Sequence, residues 1–222
     1  MEANQDLPKP GPAWRNALTL GLAAMMGAGL LAGVNQLTRQ RIENQERRAA
    51  LVQLGQLLPP GRYDNALQED SYSFRDTAWF PSGQTITVYR ARMGAEPAAA
   101  IFRLAATDGY NGDINLLIGI NLDGSLTGVR VLSHKETPGL GDPIETSRSN
   151  WILQFSGRSL SNPGKDGWAV KIDGGEFDQF TGATITPRAV VKAVRMTLEY
   201  FAANKDLVFA QPADSLEVAK PR

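Results

Sequence analysis

Three threonines, Thr181, Thr184 and Thr186, surround a Gly182-Ala183 pair in the run DQFTGATITP, and Asp178 stands three residues before the first of them. Hydroxyls, a backbone open to close approach and a helix that starts at once suit an anion, above all a phosphate. The pattern that follows predicts a helix from Pro187 to about Ala203, with Val190, Val194, Leu198 and Phe201 on one face. Thr186 reads as its N-cap and Pro187 as its first residue. Thr184 then stands just outside the helix, beside unsatisfied N–H groups and the positive end of the dipole. A phosphate diester on that hydroxyl keeps a single negative charge, and Gly182 and Ala183 carry no bulk to block it. The same threonines serve equally well as caps of a turn and of the helix.

A second stretch with chemical potential is HKETPGLG, residues 134–141. Pro138 and Gly139 make a tight turn, while Gly139 and Gly141 let the backbone approach a flat ring. Glu136 and Thr137 offer polar groups for the edge of such a ring, and Leu140 an apolar contact for its face. No helix start of the G-x-x-G kind follows, so this is no dinucleotide fingerprint. His134 reads as a hydrogen-bonded residue at a strand end. It is the single histidine of a chain with no cysteine. That inventory leaves out thiolate and iron–sulfur ligation and multi-histidine metal sites, and gives hydrolase chemistry little to work with. No catalytic residue and no metal ligand is assigned. Acidic and basic residues balance at 23 each, so no field points toward nucleic acid.

The elements that must position these runs form one domain. Residues 85–92 and 98–105 read as strands joined through Gly94 and Pro97. Residues 114–121 and 126–133 flank Asp123-Gly124, a stronger hairpin signal. Residues 168–172 read as a further strand and 149–155 as a short helix, with Trp151 and Phe155 stacked one turn apart. Mixed, mainly antiparallel strands with a few helices predict an α+β domain over residues 59–205, its core at about 85–203, followed by a loosely held tail at 206–222.

Ahead of it, residues 17–34 read ALTLGLAAMMGAGLLAGV, with no charge. As a helix this run spans about 27 Å, close to the hydrocarbon thickness of about 30 Å. It is predicted to be a single transmembrane helix, after a flank at 1–16 and before a helical stalk at 35–58. Gly29 and Gly33 could let another helix approach. Lys9 and Arg15 precede the span and Arg39, Arg41, Arg47 and Arg48 follow it. That count alone would keep the domain in the cytoplasm.

Together, in this order and behind one anchor, the HKETPGLG and DQFTGAT runs resemble the RnfG/RsxG family, the FMN-binding members of the Rnf/Rsx ion-translocating electron-transport complex. The C component of the sodium-translocating NADH:quinone reductase shares the domain. The resemblance takes in the anchor, the stalk ending at Leu57-Leu58-Pro59, DGYNGD at 108–113 and the region through the last helix. It implies one FMN per chain, joined covalently through its phosphate to Thr184, with Thr181, Gly182, Ala183 and Thr186 around the attachment. It implies further that Glu136, Thr137, Gly139, Leu140 and Gly141 pack against the isoalloxazine, and that Asp178 is needed by a flavin transferase. The implied role is electron relay without independent catalysis, with the other Rnf/Rsx subunits as partners. The implied location is the bacterial inner membrane, single-pass, with the domain in the periplasm; long domains translocate largely regardless of flanking charge, so the family is followed over the arginine count. The alternatives are the C component of the quinone reductase, a non-redox structural membrane subunit whose threonines only cap, and a standalone flavin-linked reductase or regulator. The last lacks a nucleotide-binding motif, and the modest length favours the Rnf type.

Overall fold

The computed structural model describes residues 54–59 and 61–213 and, nearer the N-terminus, Trp14, residues 17–18 and 20–30, and Gly33. The chain divides into two compact units, Met1–Arg48 and Ala49–Arg222. In the first, every described residue is helical and exposed. Leu20 and Leu30 are 74% and 73% accessible, although their side chains are apolar. Among the described residues no helix is long and apolar enough to cross a membrane. The predicted span is described only in part, and stalk residues 35–53 lie outside the described residues.

The second unit is built on five antiparallel strands: β1 (Ser71–Phe74), β2 (Ile86–Met93), β3 (Glu96–Ala106), β4 (Ile114–Asn121) and β5 (Leu126–Ser133). They lie side by side in chain order, a meander. One long helix, α1 (Ile185–Ala210), follows after three short 3-10 turns at Asp142–Ile144, Trp151–Phe155 and Lys171–Asp173.

Side chains alternate across a strand, so a sheet buried on one face alternates in polarity. The central strands do not, because both faces are covered. Phe102, Leu116 and Ile118 face a core that includes Val190, Val194, Leu198 and Phe201 of α1. Ile101, Leu117 and Ala99 face the other way, onto Leu54, Leu57 and Leu58. The end of the predicted stalk is therefore the second cover of the sheet. Gly119 lies beneath it, where a Cβ would only touch the Cβ of Leu57 at 3.6 Å but would come 2.1 Å from Thr127 Oγ1, so the glycine makes room for Thr127.

The α+β architecture and both hairpins agree with the sequence reading, and four local expectations change. The run 168–172 makes only a single bridge, Val170 to Phe177, before turning at Lys171–Asp173. Residues 151–155 form a 3-10 turn with Trp151 and Phe155 edge to face, ring centres 5.4 Å apart. β1 lies upstream of the first predicted strand. Helix α1 passes beyond Ala203 to Ala210, with a local break at Asn204. Part of the predicted loose tail is thus anchored: Val208 is fully buried, and the Phe209 carbonyl accepts a 3.1 Å hydrogen bond from Arg92 Nη2. Residues 214–222 lie outside the described residues.

Candidate functional site

The head of α1 carries the main surprise. Its N-cap is Thr184, two residues earlier than predicted, and the first helical bond runs from the Arg188 N–H to the Thr184 carbonyl at 3.2 Å. Thr184 has α-type backbone angles (φ −73°, ψ −27°) and its side chain makes no cap hydrogen bond. An N-cap hydroxyl normally folds back from an extended backbone onto the N–H groups of the first turn. Here it does not, so the Thr184 hydroxyl is left uncommitted to the helix, and the N–H groups of Ile185 and Thr186 precede the first helical bond. Pro187, at the third helical position, has no N–H to satisfy.

Thr186, the expected N-cap, is fully buried instead, and its hydroxyl donates to Glu136 Oε2. Glu136 is 5% exposed. Its other oxygen, Oε1, accepts the Asn111 N–H at 3.1 Å. One carboxylate thus ties together residues 134–141, the 108–113 connection and the first turn of α1. It also explains Gly141, where a Cβ would lie 2.8 Å from Glu136 Oε2; at Gly109 the closer limit is the Gly112 carbonyl, 2.1 Å from a would-be Cβ, with Glu136 Oε1 at 3.1 Å. Behind Glu136, its own N–H donates to His134 Nδ1 at 3.0 Å, while His134 Nε2 meets Glu145 Oε1 at 2.7 Å. With Nδ1 accepting, Nε2 is the ring nitrogen that can donate to Glu145. Hydrogen bonds from Ser147 and His134 hold the Glu145 carboxyl below its usual range.

The second loop is braced from below. Gly182 adopts φ +79°, closing a turn in which the Ala183 N–H reaches the Phe180 carbonyl at 3.1 Å. The Trp151 indole donates to the Asp178 carbonyl at 2.7 Å and packs edge-on to Phe180. On the far side, Arg188 grips Asp173 through two hydrogen bonds of 2.6 and 2.8 Å.

Between the two loops opens a cavity of about 370 Å³. Glu136, Thr137, Leu140 and Gly141 line it from one side, and Gly182, Ala183, Thr184 and Thr186 from the other. Eight of the residues singled out from sequence therefore share one cavity. Gly139 does not line it; its φ of +77° and its N–H to Asp142 Oδ1 at 2.7 Å serve the turn. Thr181 is exposed beside the cavity, and the Asp178 carboxylate is exposed and paired with Lys171. Sequence reasoning missed Tyr110 and Ile185, which complete the lining and are 67% and 43% exposed. An aromatic residue between two glycines in DGYNGD was the available signal for Tyr110. Glu136 differs in role: both its oxygens already accept hydrogen bonds from the protein, so it builds the wall rather than presenting a free edge. Thr137 likewise accepts from Asn111 Nδ2 at 3.0 Å. The arrangement can seat an anion against the free N–H groups of the helix head, and a flat apolar group against Tyr110, Leu140 and Ile185.

A protein with a helix head and a glycine-turn loop closing on a common cavity falls in a recognised class: residues 109–199 match the family model described as an FMN-binding domain. Residues 8–57 match a second model, the RnfG N-terminal region. A protein of Pseudomonas aeruginosa, the G subunit of an ion-translocating oxidoreductase complex by name, is 48% identical over 196 residues, 88% of this chain and 92% of its own length. Proteins of the same name from Pseudoalteromonas atlantica and Shewanella loihica are each 45% identical, over 88% and 90% of this chain and 91% and 94% of their own. The chain belongs to the RnfG family, the G subunits of ion-translocating oxidoreductase complexes.

Proposed function

We propose that this chain is the membrane-anchored electron-transfer subunit of an ion-translocating oxidoreductase complex, carrying one FMN bound covalently through its phosphate to the Thr184 hydroxyl. The observation that carries the reading is the Thr184 side chain itself: an N-cap hydroxyl that makes no cap bond, at the head of a long helix, in the cavity shared with residues 136–141. The residues fit the group. The helix head favours a phosphate, and a diester there has a single charge to desolvate. Gly182 and Leu140 line the same cavity as Thr184, and Gly182 adds no side chain to it. Tyr110, Leu140 and Ile185 offer apolar surface to a ring. When bound, FMN supplies reversible electron storage. The chain's part is to hold the ring, exclude water from one face and keep the phosphate at the helix head. A covalent bond also removes any dependence on free flavin, which would otherwise leave by mass action.

The anchor belongs to the same reading. Helical residues in the first unit expose Leu18, Leu22, Met25 and Met26 as well as Leu20 and Leu30. A helix apolar on all sides needs an apolar surrounding. Residues 17–34 then form a single span of the bacterial inner membrane, with the domain on the periplasmic side. The partners are the other subunits of the complex and a flavin transferase, for which Asp178 and Thr181 lie exposed next to Thr184.

Denaturing electrophoresis under ultraviolet light tests the linkage. The expected result is a fluorescent band at the mass of the chain that is lost in Thr184→Val, with the intact mass reduced by one FMN. A band that persists in Thr184→Val overturns the assignment, and a colourless wild-type protein purified from its native membrane overturns the function.

A further inference from the structure

Glu136 is buried and its carboxylate has no counter-ion. Both oxygens accept hydrogen bonds, so the group is held as an acceptor, and both donors, the Asn111 N–H and the Thr186 hydroxyl, are neutral. Among the described residues no lysine or arginine pairs with it. Of the cations nearby, Lys192 pairs with Asp108, Arg188 with Asp173 and Arg148 with Asp142, and Lys135, next in sequence, is exposed to solvent. The nearest imidazole, His134, turns Nδ1 to the Glu136 N–H and Nε2 to Glu145. A buried charge without a partner is expensive, and a fold that keeps one beside a cavity spends stability on a field inside that cavity.

Resting on the reading that the cavity holds FMN, we propose that Glu136 sets the potential of the bound flavin: its fixed negative charge opposes the arrival of electrons in the cavity and holds the flavin harder to reduce. The sign follows from Coulomb's law. Reduction adds negative charge to the ring; Glu136 lines the same cavity, and the low dielectric of a buried wall weakens the repulsion less than water would. His134 is a positioning residue in this arrangement. By accepting the Glu136 N–H it fixes the peptide from which the carboxylate reaches inward, and Gly141 leaves the space that carboxylate fills.

The test is a reductive titration of the full-length, flavin-loaded protein with dithionite and mediators, read by flavin absorbance. Glu136→Gln keeps the shape: the amide oxygen can accept the Asn111 N–H, and the amide nitrogen can donate to the Thr186 hydroxyl. At a fixed potential, the ratio of reduced to oxidised flavin should rise at least tenfold in the variant. That is about 59 mV for a one-electron couple or about 30 mV for a two-electron couple. A ratio equal to that of the wild type overturns the proposal. If Glu136→Gln does not take up flavin, Glu136→Met, which also removes the charge, replaces it as the probe. Loss of the charge there must raise the ratio in the same direction, and no rise overturns the proposal. A carboxylate with a purely structural role would change the melting temperature in these variants and leave the ratio where it was. Failure of the functional reading shows separately, as a wild-type protein with no covalent flavin to titrate.

Discussion

Among the described residues three charged side chains are buried: Arg90, Glu136 and Asp142, the last paired with Arg148. Arg90 and Glu136, toward opposite edges of the sheet, are treated in opposite ways. Arg90 on β2 is 2% exposed and its charge is answered: it pairs with Asp70, donates to the Gln211 carbonyl and lies over the Tyr72 ring at 5.3 Å, with only its Nε left without a hydrogen-bond partner among the described residues. Arg92 adds a 2.6 Å bond to the same Asp70 and a 3.1 Å bond to the Phe209 carbonyl. Two guanidinium groups therefore sit at the C-terminal end of α1, where unsatisfied carbonyls and the negative end of the dipole favour cations. Glu136, at the other end of the same helix, has only neutral donors. The end that only has to hold together cancels its buried charge, and the end that lines the cavity keeps its own. Stability alone accounts for the first and not for the second.

The largest effect expected from breaking this contrast lies at the structural end. Arg90→Met should destabilise the domain by about 3 kcal/mol in urea denaturation, because removing one member of a buried pair strands the other. Arg92 continues to hold Asp70, which keeps the loss at the lower end of the range for such pairs. The double variant with Asp70→Leu should recover part of the loss, and flavin loading should be unchanged in both. A loss of flavin in Arg90→Met would mean that the two ends are coupled through α1, and the contrast would fail as a division of labour.

How much of this was readable beforehand differs between the same two ends. Both loops of the cavity were legible because glycine and proline patterns report local backbone, and local backbone is what shapes those loops. The N-cap was not. Pro187 fits the first or the third helical position equally well, since neither N–H has an intrahelical partner. What decides is the burial of the Thr186 hydroxyl against Glu136, fifty residues away in sequence. The clamp at the other end was invisible for a similar reason. The apolar stripe of α1 is interrupted between Phe201 and Val208 by the break at Asn204, and the contacts that hold the last turn come from β2. β1 was too short to announce itself: its four residues qualify as a strand only because they pair with β2.

A smaller effect should follow at the cavity end from Gly141→Ala. The added methyl would lie 2.8 Å from Glu136 Oε2 and 2.9 Å from Thr186 Oγ1, inside ordinary contact distance. Something must move, and overpacking of this kind costs about 1–3 kcal/mol. Because the displaced group is the Glu136 carboxylate, the variant should also load flavin less completely than the wild type under the same expression conditions, as read from band fluorescence. Full loading with unchanged stability would show that the bridge from Glu136 to Thr186 is dispensable. The buried carboxylate would then be no better defined than a surface one.

The smallest effect concerns the group that backs His134. Hydrogen bonds from Ser147 and His134 hold the Glu145 carboxyl below its usual 4.5 in the folded domain. A carboxyl depressed by folding contributes stability that is fully present above its ordinary value and is lost as the pH falls through the folded one. Glu145→Gln removes that contribution and keeps an oxygen that can accept from His134 Nε2. The wild type should therefore be slightly the more stable near pH 6, and the two stability curves should converge in acid, as the pH falls through the lowered value of the folded carboxyl. Solvent screening keeps the difference small, since the Glu145 side chain is 40% exposed. Convergence in acid would make the chain from Glu145 through His134 to the Glu136 N–H a continuous support for the buried carboxylate. Curves that stay parallel at every pH would leave that support to the single bond at His134 Nδ1, and the positioning of Glu136 would rest on Asn111 and Thr186 instead.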